Sequence, residues 1–146
     1  MAVSNIQRFD DIASRVFAEL YENFPLPTEL ATEDYLDPAT EWNETFQQDV
    51  IIDDGEFFLA TVQWLEKAGY VSADGYHHSR VSDVVLTAKG LEVLRAIPGS
   101  LKGDPSIGEQ LANAAKTGGK EAMRGLFSQA LGVGVRLISP YVGLPN

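Results

Sequence analysis

The 146-residue sequence contains no cysteine and only two histidines. No disulfide framework or thiolate metal site can form, and nothing argues for an oxidising compartment. His77 and His78 are adjacent, so in a strand they would point to opposite faces, poor geometry for a shared ion; no metal is expected. Long hydrophobic runs are missing as well. The longest charge-free run, Gly125 to Val135, is too short and too rich in small residues to span a bilayer, and the polar, acidic opening does not resemble a signal peptide. A cytoplasmic chain without a membrane partner is expected. Catalytic patterns are missing too: there is no G-x-S-x-G, no phosphate-binding glycine loop and no His-Glu pair at helical spacing. Asp49, Asp53, Asp54 and Glu56 crowd together but lack the alternating loop and distant Glu that wrap calcium. Neither an enzyme nor a cofactor is expected.

Bases are the next scarcity. Eleven Lys and Arg stand against 21 Asp and Glu, a formal net charge of −10, and the imbalance is local. Residues 1–56 carry fourteen acids and two bases, 57–98 four of each, and 99–146 three acids and five bases. DNA affinity comes mainly from neutralising phosphates with Lys and Arg, so the chain as a whole begins with repulsion.

What is present is a succession of periodic segments. Ile6, Phe9, Ile12, Val16, Phe17, Leu20 and Phe24 recur at helical steps, predicting an amphipathic helix over about 5–23 that ends at Pro25 and Pro27, with these apolar residues in the core. Between Thr28 and Asp53 the pattern is weaker. A strand over 32–36 and a helix over 41–50, with Trp42, Phe46 and Val50 as its buried edge, is one reading, and an ordered acidic loop is the other. Phe58, Val62 and Leu65 then define a helix over 56–68, with Asp53 and Glu56 at the spacing of a capping pair and Gly69 at its stop. Val71 opens a strand, Ala73-Asp74-Gly75 supplies a turn, and Val81, Val84, Val85 and Leu86 make the return strand. Thr87 caps a closing helix that stops before Pro98.

The run WLEKAGYV followed by VVLTAKGLEVL resembles the helix, Gly, strand, wing and Leu-Thr-x-x-Gly-x-x-x-Leu pattern of bacterial winged-helix regulators of the MarR-like and PadR-like groups, and most nearly an uncharacterised bacterial winged-helix family. The resemblance covers about a third of the chain. It implies a mainly α fold with a small β-hairpin, a winged helix-turn-helix, here with a C-terminal helical extension. The expected organisation is a winged-helix domain over 1–98, a turn-rich linker over 99–106 and a helical element over 107–139, kinked or divided at Gly118-Gly119. The resemblance further implies that helix 56–68 is the recognition helix and that the hairpin is the wing.

The candidate recognition face would present Glu56, Ala60, Gln63, Trp64 and Lys67, a neutral set with Glu56 at the end where groove contacts concentrate. The wing over 74–80 would offer His77, His78 and Arg80, either as contacts to double-stranded DNA or as a solvated polar turn. In the C-terminal element, the stripe Leu111, Ala115, Ala122, Leu126 and Ala130 permits close helix approach. It suits a homodimer or a docked partner, or a helix folded back on its own domain. Two functions follow: a non-enzymatic protein-interaction or regulatory module with an unknown protein partner, or a dimeric DNA-binding transcriptional regulator.

Overall fold

A computed structural model describes residues 4–35, 40–43, 45, 48–51, 53–97, 103 and 105–138. It is mainly helical with a small antiparallel sheet. Helix α1 (Asn5–Asn23) starts at Ser4, whose hydroxyl accepts the Gln7 amide at 3.1 Å. Its stripe of Ile12, Ala13, Val16, Phe17 and Leu20 is buried. Ile6, expected in the same stripe, is instead 63 % exposed, because the first turn of α1 runs past the edge of the core.

The segment after α1 departs most from expectation. The strand is β1 (Thr28–Ala31), and Thr32–Asp34 is a 3₁₀ turn rather than a strand over 32–36. The chain turns there because the Thr32 amide and hydroxyl both donate to the Ser79 carbonyl, at 2.9 and 2.6 Å, and Arg15 takes the carbonyls of Asp34 and Tyr35. Nor is 41–50 a helix: β2 (Thr40–Asn43) pairs antiparallel with β3 (Gln48–Ile51), Trp42 opposite Asp49. A four-residue spacing of apolar residues satisfies the two-residue period of a strand as well as the helical one, and the polar run Asn43-Glu44-Thr45 favours reversal.

Helix α2 (Asp53–Lys67) buries Phe58, Thr61, Val62 and Leu65. It begins three residues earlier than expected, so Asp53 lies within the helix rather than capping it. Its end follows the expectation: Gly69 at φ 90° donates to Glu66 and Tyr70 donates to Leu65, the paired bonds that a left-handed glycine makes after a helix. Strands β4 (Val71–Ser72) and β5 (Gly75–His77) pair in a single register with β6 (Arg80–Leu86), and β1 pairs with the other edge of β6. The hairpin turn therefore falls at His78-Ser79, not at Ala73-Asp74-Gly75. Gly75 is paired within the ladder opposite Ser82, while His78 takes the positive φ of 57°. Asp83, at φ 51°, marks the irregularity where β1 and β6 change register.

Helix α3 (Ala88–Arg95) starts on Thr87, whose hydroxyl accepts the Gly90 amide at 3.1 Å and itself donates to the Gly69 carbonyl. Lys89 donates to the Ala68 carbonyl at 2.9 Å and lies over the Tyr70 ring. Helices α4 (Ile107–Thr117) and α5 (Lys120–Ile138) are separate, divided by Gly118 in a left-handed conformation. A reciprocal Ser106–Glu109 capping box opens α4. Both helices pack on α1 and on each other, and α3 packs on both. One continuous core results. Phe17, Phe58, Leu65, Leu94, Leu111 and Phe127 are all under 2 % exposed within it. Among the described residues, no buried side-chain N or O lacks a partner, and no helix is long and apolar enough to cross a membrane.

Candidate functional site

The α2 residues singled out from sequence occupy one exposed face: Glu56, Ala60, Gln63, Trp64 and Lys67 all reach solvent. Beside them runs an apolar groove between α1 and α2, of about 390 Å³, walled by Ile6, Phe9, Phe57, Ala60 and Trp64. Trp64 is 46 % exposed yet firmly seated. Its ring meets Phe9 edge-on at a centroid distance of 5.2 Å and stacks at 6.5 Å on Tyr70, and Phe9 in turn meets the buried Phe127 at 5.6 Å. Arg8 lies 4.2 Å above the Phe57 ring. A half-exposed indole held by packed rings loses little freedom on contact, which is what a protein-binding anchor requires. Sequence reasoning assigned Ile6 and Phe9 to the core, and their helical spacing gave no sign that the first turn of α1 opens onto a groove.

The hairpin is charged in the opposite sense to a phosphate-binding wing. His77, His78 and Arg80 are exposed, but the Arg80 guanidinium is held by two carboxylates, Glu29 at 2.8 Å and Glu33 at 2.7 Å. Asp83 and Asp74 lie close enough to hydrogen bond, with Glu29 also near. Two acids thus hold the one arginine, and two more pair with each other on the same hairpin. The hairpin is fixed to α2 through the Tyr76 hydroxyl, which donates to Glu66 at 2.8 Å; burial and that carboxylate push the phenol pKa up. The proton shared with Asp74, and its charge, raise the Asp83 pKa. A carboxyl whose pKa is higher in the folded state stabilises the fold fully below the unfolded value, and the gain is lost as pH rises through the folded value. Asp83→Asn should therefore melt higher than the parent at pH 7 and converge on it below pH 3, as thermal melts across that range would read; Asn also tolerates positive φ.

The C-terminal stripe divides. Leu111, Leu126 and Ala130 are buried within the same chain, Leu111 and Ala130 completely, whereas Ala115 and Ala122 are exposed. The apolar part of that stripe already has its partner in α1. Among the described residues no group of His, Asp and Glu is placed to hold a metal ion. Compared with family models, curated proteins and solved structures, the chain gives no match.

Proposed function

We propose that the chain is a non-enzymatic winged-helix protein that acts as a protein-interaction or regulatory module through the α1–α2 face. The order helix, strand, helix, hairpin supports the winged-helix reading, with α2 in the recognition position; the usual second helix is replaced by the 3₁₀ turn and the β2–β3 pair. The observation that carries the function is the groove. An exposed Trp64 on α2 and an exposed Ile6 on α1 flank an apolar trough beside the helix that a winged helix offers to its partner. Phosphate would meet Glu56 as well as Lys67 along α2, and the neighbouring bases are engaged elsewhere. Glu56 stands exposed in the first turn of α2, Lys89 is committed to Ala68 and Tyr70, and Arg80 to two glutamates.

A dimeric DNA-binding regulator is the second reading, favoured by the exposure of Gln63, Lys67, His77 and His78. Titration with random duplex DNA at low salt separates the two. No binding is expected below about 100 µM, the weak end of ordinary non-specific affinity. Salt-sensitive binding at micromolar concentration would overturn the protein-interaction reading. A photocrosslinker at Ala60 is expected to capture a protein in extracts of the source cells, and Trp64→Ala to abolish that capture with an unchanged circular dichroism spectrum.

A further inference from the structure

A second cavity lies across α1 from the groove, and its electrostatics run against those of the molecule. It holds about 160 Å³ between α1, the residue that follows the 3₁₀ turn and the start of α5. Arg8, Arg15 and Lys120 line it, with Asp11 as the one acid in its wall. That acid is already engaged, because Arg124 Nη1 donates to Asp11 Oδ1 at 2.8 Å, with both side chains about three-quarters buried. Arg15 and Lys120 thus face a cavity whose one lining acid is already paired with Arg124, in a protein of net charge −10.

The cations also retain capacity. Arg15 donates from Nη1 to the Tyr35 carbonyl and from Nη2 to the Asp34 carbonyl, at 3.1 and 2.9 Å, which uses two of its five N–H donors and aligns the guanidinium over the Tyr35 ring at 4.6 Å. Backbone carbonyls orient this charge without cancelling it. Among the described residues neither Arg15 nor Lys120 has a carboxylate within ion-pair distance. Ile12 and Met123 close the wall on the apolar side, lowering the local dielectric and strengthening any charge-assisted bond formed there.

We propose that this cavity binds a compact dianion of the phosphate or phosphate-monoester class, gripped by Arg15 and Lys120. Two cations that no carboxylate offsets, one of them a guanidinium with donors to spare, match a group with two charges and several acceptor oxygens better than a single carboxylate. Neither Arg15 nor Lys120 lines the α1–α2 groove, so phosphate binding and partner binding can each fail alone.

Thermal melts at constant ionic strength, with sodium chloride replaced stepwise by inorganic phosphate and then by glycerol phosphate, provide the test. A saturable rise in Tm of roughly 3–5 °C is expected at about ten times Kd. Lys120→Gln should weaken the apparent affinity about tenfold or more, as loss of a charge-assisted bond implies, whereas Arg95→Gln on α3 should leave it unchanged. Lys120 is exposed, so its replacement should not disturb folding, which keeps the test clear even if Arg15→Gln destabilises the turn it holds. Acetate and benzoate should not reproduce the rise. Equal rises with those carboxylates, an unchanged response in Lys120→Gln, or no saturable effect of phosphate would each overturn the assignment.

Discussion

Phe127→Ala is expected to lower the unfolding free energy by about 3–5 kcal/mol, the usual cost of emptying a fully buried aromatic site. The side chain is 0 % exposed and its ring lies 5.3 Å from that of Phe17 and 5.6 Å from that of Phe9. Both rings are carried by α1 and cannot collapse into the space without shifting that helix, so the cavity should persist. Single domains are stable by about 5–15 kcal/mol, and the loss is therefore a large fraction of the total. Urea denaturation followed by both far-ultraviolet circular dichroism and tryptophan fluorescence gives the measurement. One transition, shifted equally for both probes, is the expected outcome. If the fluorescence transition, reporting on Trp64 in α2 and Trp42 in β2, kept its midpoint while the helical signal moved, α5 would be an appendage and not part of the core.

The second large effect is expected at Gly90. A Cβ there would stand 2.1 Å from the Tyr70 carbonyl oxygen, a backbone atom that cannot turn aside. That same oxygen accepts the Thr87 amide at 3.0 Å, and Thr87 caps α3. Gly90→Ala must therefore part α3 from the α2–β4 junction, with an expected loss of about 3 kcal/mol or more, at the upper end of overpacking costs. Gly125→Ala provides the contrast. It lies in α5 with nothing within 4 Å of the added carbon, and should gain about 0.5–1 kcal/mol from helix propensity. Parallel urea titrations of the two variants would separate close approach from flexibility, and a Gly90→Ala protein as stable as the parent would refute the packing account.

These two positions mark how far the sequence could be read. Gly90 belongs to the Leu-Thr-x-x-Gly run, and its importance was visible because the chain must turn tightly from strand to helix there. The stripes of α1, α2 and α3 and the existence of strands at 71–72 and 81–86 were legible for the same reason, each having one buried face and therefore one period, but the turn between the strands was not. Residues 28–51 were not, since Trp42 and Val50 fit two periods at once and the 3₁₀ turn depends on Arg15 and on Ser79, far away in sequence. The groove was hidden because Ile6 and Phe9 share the spacing of the core residues that follow them. The cationic cavity was hidden by distance, with Arg15 and Lys120 more than a hundred residues apart until α5 settles on α1. Charge counting by thirds of the chain showed where acids collect, but could not show that Glu29 and Glu33 flank Arg80.

The core that joins α1 to α5 also sets a schedule for the newly made chain. Phe17 and Phe58 leave the ribosome well before Phe127, with which Phe17 packs, and elongation proceeds at about 5–20 residues per second. The interval between Phe58 and Phe127 is then roughly 3–14 s. Throughout it the apolar stripe of α1 has no α5 to cover it. The dense acidity of the first third, carried by the part of the chain that waits longest, keeps neighbouring nascent chains apart by charge repulsion while that stripe is bare.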